Sequence, residues 1–226
     1  HTICADLFVN GNLYGENLDY EYVEPTPETC LGTDYTLLRQ EIRSRSAKEP
    51  PWRERPERAI VTMGGSDTAN LTPDVVRAFD DFDISLDVIV GPGFDVTQEQ
   101  EIRSVATAIT AEVTVRRDPT DLADRMFESD IAVCTASSTT YELLALGTPF
   151  VCCPIIENQQ RIAAALQEHN LAAVVPSTDI QTSVASAVEQ YVDNPQCRHK
   201  RRTAGRNLID GRGVYRVADA IERTVG

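Results

Sequence analysis

Ile131-Ala132-Val133-Cys134-Thr135-Ala136-Ser137-Ser138-Thr139-Thr140-Tyr141-Glu142-Leu143-Leu144 is the stretch whose pattern settles the architecture. It opens on an unbroken apolar run, which suits a strand covered on both faces rather than one with a wet side. It closes on a helical pattern over 139–145. Between the two stand four consecutive hydroxyl residues, Ser137 to Thr140. A helix start needs only one capping hydroxyl. Several of them, beside free N–H groups and the positive end of the helix dipole, make an anion site, with a plain cap as the alternative.

The same alternation extends outward. Strand patterns occupy 59–63, 86–90, 112–115, 130–135, 150–156 and 172–175. Helical patterns occupy 72–82, 97–110, 120–128 and 159–169, and two or three more follow near 178–192, 195–208 and 213–224. Thr72-Pro73 reads as a helix start, a capping hydroxyl with proline in the first turn. Strands and helices that alternate with short connections predict an α/β fold: a Rossmann-like parallel sheet flanked by helices. Ahead of it the pattern is mixed, with a short strand at 7–9 and a short helix at 37–42. Residues 44–58 carry three prolines and almost nothing apolar, which predicts an exposed linker.

The chain has 226 residues, and a hydrophobic share of 42% supplies a real core. No apolar run approaches the roughly 20 residues of a membrane helix. Lys and Arg number 21 against 35 Asp and Glu, a net charge of −14. That field repels nucleic acid at long range. Only Lys48 and Lys200 are lysines, and the acids are spread over the chain. This fits a salt-adapted cytoplasmic protein or an ordinary acidic one. The basic cluster Arg198, Lys200, Arg201 and Arg202 reads as a solvated helix face. Six cysteines lack CxxC spacing, and Cys134, Cys152 and Cys153 lie in apolar strands, where cysteine acts as a small hydrophobe. The three histidines are not grouped. Neither a metal site nor a cofactor is expected, and His169 and His199 read as surface residues.

In a doubly wound sheet, ligands bind beyond the carboxyl ends of the strands. Three segments fall there. Met63-Gly64-Gly65-Ser66-Asp67 lets backbone approach a ligand and offers a hydroxyl at Ser66, or else makes a tight turn. Ser137 to Glu142 is the anion-binding elbow, where Ser138, Thr139 and Thr140 suit a diphosphate. Glu142, about one turn on, suits a ribose diol, or complements the helix dipole. Glu157-Asn158-Gln159-Gln160 places amides at a third strand-to-helix junction, for ligand or for capping. Neither GxGxxG nor a Walker-type phosphate loop occurs, and no Ser–His–Asp set can be assembled.

The order of Met63-Gly64-Gly65-Ser66-Asp67, Val90-Gly91-Pro92, Ser138-Thr139-Thr140-Tyr141-Glu142, Ala145-Leu146-Gly147-Thr148-Pro149 and Glu157-Asn158-Gln159 resembles the UDP-sugar hydrolases of the pseudaminic acid pathway and the related spore-coat polysaccharide proteins. These are similar in turn to the glycosyltransferase-B architecture. The match covers 59–226, and Leu31-Gly32-Thr33-Asp34-Tyr35-Thr36-Leu37-Leu38-Arg39 resembles the family's inter-domain segment. The resemblance implies that 1–58 is the remnant of an N-terminal domain with its linker, and that 59–226 is the nucleotide-sugar-binding domain, the C-terminal half of a glycosyltransferase-B-type fold. It implies UDP in a cleft lined by Gly65 and Ser66. Ser138, Thr139 and Thr140 would take the diphosphate, Glu142 the ribose, and the segment around Leu122 the uracil. Asn158 and Gln159 would approach the diphosphate or the sugar. The last helix would cross back toward the N-terminal domain. The reaction implied is attack of water at the anomeric carbon with loss of UDP, without a metal. The family's catalytic histidine lies in the N-terminal domain, which these residues lack. This chain alone is therefore expected to bind nucleotide weakly and to hydrolyse little. A glycosyltransferase using the same UDP cradle and a non-catalytic nucleotide-sugar-binding module are the alternatives.

Overall fold

The computed structural model describes residues 2–225. In chain order the elements are β1 (Thr2–Ile3), β2 (Leu7–Asn10), β3 (Glu21–Tyr22), β4 (Glu28–Leu31), α1 (Gln40–Ser46), β5 (Arg58–Thr62), α2 (Thr72–Arg77), β6 (Ser85–Val90) and α3 (Val96–Ala108). They continue with β7 (Val113–Arg117), α4 (Leu122–Glu128), β8 (Ile131–Thr135), α5 (Ser138–Leu146), β9 (Phe150–Cys153), α6 (Gln160–Glu168), β10 (Ala173–Val174), α7 (Ile180–Asp193), α8 (Pro195–Leu208) and α9 (Gly213–Val225). Six strands form one sheet in the order β10-β9-β8-β5-β6-β7, every pair parallel. From β5 the chain winds outward through β6 and β7, then returns to the other side of β5 with β8. That reversal opens a crevice at the carboxyl ends of β5 and β8.

Both faces of the sheet are covered, as the continuous apolar runs predict. Alternate side chains point to opposite faces. Ala59, Val61, Ile131 and Val133 join a core with Val75 and Phe79 of the α2 region, Ile102 of α3 and Val184 and Val188 of α7. Ile60, Ala132 and Cys134 join a second core with Ile42 of α1, Met126 of α4, Leu143 and Leu144 of α5 and Leu166 of α6. The expected α/β class and flanked parallel sheet are what the chain adopts. Two parallel two-stranded ladders, β1 with β3 and β2 with β4, lie apart from the large sheet. Helix α9 packs on β2 and β4, so the end of the chain does return to its beginning.

Several elements differ from the expected bounds. The strand expected over 150–156 stops at Cys153, because Pro154 has no N–H for the ladder. Ile155 N–H then donates to Gln159 Oε1 at 2.7 Å instead of to a strand. The helix expected over 72–82 ends at Arg77. Thr72 is not its capping acceptor. The buried Asp67 carboxylate takes that part, accepting from Leu71 N–H at 3.0 Å and from Thr72 N–H at 2.7 Å. The helix expected over 37–42 is shifted to Gln40–Ser46, after a residue 39 in extended conformation.

Half of the basic cluster is not solvated, although Lys200 is exposed. Arg198 and Arg202 are buried. Arg198 donates to the carbonyls of Tyr191 (2.7 Å), Arg53 (3.1 Å) and Glu54, and Arg202 donates to those of Pro50 and Pro51. Both guanidiniums lie over the Trp52 ring, at 4.8 and 5.5 Å from its centroid. The proline-rich segment is thus strapped along α8. Its backbone carbonyls, which no ladder uses, are satisfied by arginine forks.

Candidate functional site

A cleft of about 490 Å³ opens at the carboxyl ends of β5, β6 and β8, within the size range of small-molecule sites. Its floor is backbone. After β5 the chain turns at Gly64, whose φ is +83°, and Gly65 then faces open space. The loop after β6 closes against it: Gly93 N–H donates to Gly65 O at 2.8 Å. Gly91 approaches so near that a Cβ there would lie 2.6 Å from the same oxygen. Asp67 anchors the far end of the glycine turn through its bonds to the start of α2. Pro119, ahead of α4, and Leu122, its first residue, form an apolar side.

The opposite wall is the elbow from β8 to α5. Ser137, Ser138 and Thr139 line the cleft. Ser137 is the extended residue before the helix, and its side chain makes no capping bond. As at any helix start, the first N–H groups of α5 have no intrahelical acceptor. They carry the positive dipole end toward the cleft. One turn deeper, Glu142 is only 8% exposed. Its carboxylate meets the Arg39 guanidinium in a two-point pair, Nε to Oε1 at 2.8 Å and Nη2 to Oε2 at 3.0 Å. This contact holds the Arg39 charge above its already high ordinary pKa. Next to Glu142, Tyr141 turns the other way. Its hydroxyl donates to Asn12 Oδ1 and accepts from Leu13 N–H, both at 3.1 Å. Burial raises that phenol to about 12.

Of the residues the sequence nominated, Gly65, Leu122, Ser138, Thr139 and Glu142 line one cleft. Four do not line it. Thr140 is fully buried and its hydroxyl donates to Ser137 O at 2.7 Å, an internal turn bond rather than a ligand contact. The Cβ of Ser66 lies beside Gly93. Gln159 Oε1 is spent on the Ile155 amide, and Asn158 is exposed beyond the cleft wall. Arg39, Leu37 and Asp118 also line the cleft, and sequence reasoning gave them no role. Arg39 lay inside a quoted motif, but nothing in its neighbours showed which carboxylate it would meet. His169 and His199 are exposed and lie away from the cleft lining. Among the described residues no group of three or more His, Cys, Asp or Glu could hold a metal ion, and no helix is long and apolar enough to cross a membrane.

No family model matches the chain. It is 27% identical over 163 residues to the UDP-2,4-diacetamido-2,4,6-trideoxy-beta-L-altropyranose hydrolase of Campylobacter jejuni, a match over 72% of this chain and 57% of that protein. It is 26% identical over 154 residues to the uncharacterized protein MJ1062 of Methanocaldococcus jannaschii, over 65% of this chain and 32% of that one. The matched part therefore spans between a third and three fifths of these relatives' lengths. Among solved structures, MurG of Acinetobacter baumannii superposes with a TM-score of 0.66 at 16% identity, over 97% of this chain and 60% of MurG. The calicheamicin glycosyltransferase CalG4 superposes with a TM-score of 0.60 at 18% identity, over 93% of this chain and 49% of CalG4. At such identities the likeness is one of fold: this chain is a Rossmann-like α/β unit of the kind found in glycosyltransferase-B enzymes.

Proposed function

We propose that this chain is the nucleotide-binding part of a UDP-sugar hydrolase of cell-surface polysaccharide biosynthesis. The observation that carries the reading is the convergence of the Gly64–Gly65 turn, the α5 start at Ser138 and Thr139, and the Arg39–Glu142 pair on one cleft. A nucleoside diphosphate-sugar needs these parts: backbone that lets phosphate come close, N–H groups and hydroxyls for its charge, and a carboxylate for the ribose diol. Similarity to the Campylobacter jejuni hydrolase, over more than two thirds of this chain, favours the UDP-sugar class and hydrolysis over transfer.

In this reading the diphosphate rests at the start of α5 and Glu142 accepts from the ribose hydroxyls. Water attacks the anomeric carbon, the C–O bond breaks, and UDP departs. The charge growing on the leaving diphosphate is stabilised by preset N–H dipoles, hydroxyls and the Arg39 guanidinium. The group that activates water comes from a further domain, since neither His169 nor His199 reaches the cleft.

Calorimetric titration with UDP, CMP and ADP tests the site. UDP is expected to bind tightest, and Glu142→Ala and Thr139→Ala are each expected to weaken it about tenfold, the loss of one charged or polar contact. Equal binding of all three nucleotides by the parent chain and the variants overturns the proposal. Product analysis of the longer enzyme, with and without acceptor sugars, separates hydrolysis from transfer.

A further inference from the structure

Thirteen arginines of this acidic chain are held in ion pairs with carboxylates, and Arg198 and Arg201 are engaged by carbonyl, hydroxyl and amide oxygens. Among the described residues Arg43, Arg55, Arg161 and Arg212 belong to neither group, and of these Arg43 and Arg212 line one pocket. It measures about 350 Å³ and lies between α1 and the turn that opens α9, away from the nucleotide cleft. Gln40, Arg43, Ser44 and Ala47 of this lining are spaced i, i+3, i+4, i+7, which is one face of a helix. Ile42, on another face, is fully buried in the core.

The chemistry of this lining is one-sided. Asp210 is its one carboxylate, and that carboxylate is already neutralised. Its Oδ1 accepts from Arg216 Nη1 at 2.9 Å and from Arg212 N–H at 2.8 Å, and its Oδ2 accepts from Arg216 Nη2 at 2.5 Å. The hydroxyl protons of Ser44 and Ser46 are spent on the carbonyls of Gln40 and Arg43. Among the described residues, what remains unspent is donors: the guanidiniums of Arg43 and Arg212, the Gln40 amide and the Tyr215 hydroxyl. The Arg43 guanidinium carbon sits 5.2 Å from the Tyr215 ring centroid. Stacking over a ring face leaves the in-plane N–H fork directed outward. Its Nε is closed off from solvent and has no hydrogen-bond partner. A buried N–H without an acceptor is unfavourable, so the Arg43 side chain is held in place at a cost rather than by a partner.

We infer that this pocket is an anion site for a small molecule bearing a phosphoryl group, gripped by Arg43 and Arg212 and rimmed by Tyr215 and Gln40. A phosphoryl dianion suits a pocket lined by two guanidiniums that no carboxylate neutralises, because Arg forks pair with phosphate oxygens two bonds at a time. The site joins α1 to the start of α9. Arg39, which immediately precedes α1, holds Glu142 in the cleft, so an anion here fixes the helix that positions the cleft pair. The inference does not depend on the nucleotide proposal, since it shares no residue with that cleft.

The test is a backbone amide NMR titration of the full chain with inorganic phosphate, and separately with a sugar 1-phosphate, at constant ionic strength against chloride. Saturable shifts at Arg43, Gly211, Arg212 and Tyr215 are expected. The Arg43→Gln/Arg212→Gln double variant, with an unchanged melting temperature, is expected to bind at least about tenfold more weakly. Arg103→Gln, at an exposed ion pair on α3 that lines neither pocket, is expected to bind as the parent does. Tighter saturation by the sugar phosphate identifies a phosphorylated metabolite as the occupant, and tighter saturation by the free ion identifies phosphate itself. Shifts that grow linearly without saturating, shifts confined to Ser138 and Thr139, or undiminished binding by the double variant overturn the inference.

Discussion

Arg39 and Glu142 lie 103 positions apart and meet through two hydrogen bonds of 2.8 and 3.0 Å at the mouth of the cleft. The pair joins the segment that leads into α1 to the second turn of α5. It also sets the charge of the cleft. A lone carboxylate with 8% of its surface exposed would repel a diphosphate; paired with a guanidinium it does not.

Removal of either partner is therefore expected to have unequal effects. Arg39→Gln should lower stability by no more than about 1 kcal/mol, because the guanidinium is half in water and its pairing is screened. It should raise the Kd for UDP about tenfold, by leaving an uncompensated carboxylate in an anion site. Glu142→Gln should weaken UDP through the lost ribose acceptor and leave the affinity for pyrophosphate, which has no ribose, unchanged. Parallel titrations with UDP and pyrophosphate check this. Equal losses for both ligands in Glu142→Gln would show that the carboxylate does not face a ribose.

Arg198 should matter for stability rather than for binding. It is 1% exposed and its fork satisfies three carbonyls, two of them in the 50–54 strap. Arg198→Met should expose those carbonyls to an apolar side chain and cost about 2–4 kcal/mol, the range for losing a buried charged network. The released strap carries Lys48, Arg53 and Arg55. Limited trypsin digestion should then cut after Lys48 and Arg53, Arg55 being protected by Pro56, well before the rest of the chain, whereas the parent should resist there.

The parallel sheet was legible because its strands are buried on both faces, which leaves a run such as Ile131 to Cys134 no polar position. The elbow at Ser137 was legible because residue type and helix position coincide there. What stayed hidden depends on partners distant in sequence. Thr140 has the same side chain as Thr139, but a helix turns successive residues by about 100°, and that rotation alone sends it inward. Arg39 could be quoted as part of a motif, yet its partner lies 103 residues away. The arginines of α8 have the composition of a wet face. Only the strap of carbonyls opposite them, which no local pattern predicts, draws them in.

Buried thiols and phenols should make the fold fail at high pH. Burial raises Cys152 from 9.0 to about 12 and Tyr191 from 10.0 to about 12, and Cys153 and Cys134 are also raised. A raised acid holds its proton more tightly in the folded state than in the unfolded one. Its contribution is complete below the unfolded pKa and is lost as pH climbs through the folded value. Denaturant unfolding should show constant stability up to about pH 9, then a steady fall toward pH 12. Cys152→Ala should make that fall shallower, with the onset kept by Cys134 and Cys153. Ellman's reagent at neutral pH should label Cys4 at once and Cys197 more slowly, and spare Cys30, Cys134, Cys152 and Cys153 until denaturant is added, because those four are buried.

Gly65 and Gly91 offer the sharpest separation of fold from site. They face each other across the glycine turn, yet differ in what a methyl group would meet. At Gly65 a Cβ finds nothing within 4 Å. The residue has no positive φ, so alanine fits the backbone, and the methyl group stands in the cleft where a phosphate would sit. At Gly91 a Cβ would come within 2.6 Å of Gly65 O, a clash with backbone that only a shift of the loop can relieve. Gly65→Ala should therefore change stability by less than about 0.5 kcal/mol while weakening UDP at least tenfold, since roughly one methyl volume is enough to displace a close phosphate contact. Gly91→Ala should lower stability by about 1–3 kcal/mol, the usual penalty of overpacking, and weaken UDP only as far as the loop moves. Melting temperature and UDP titration on both variants give a two-by-two result. Undiminished UDP binding by a stable Gly65→Ala chain would place the nucleotide somewhere other than this cleft.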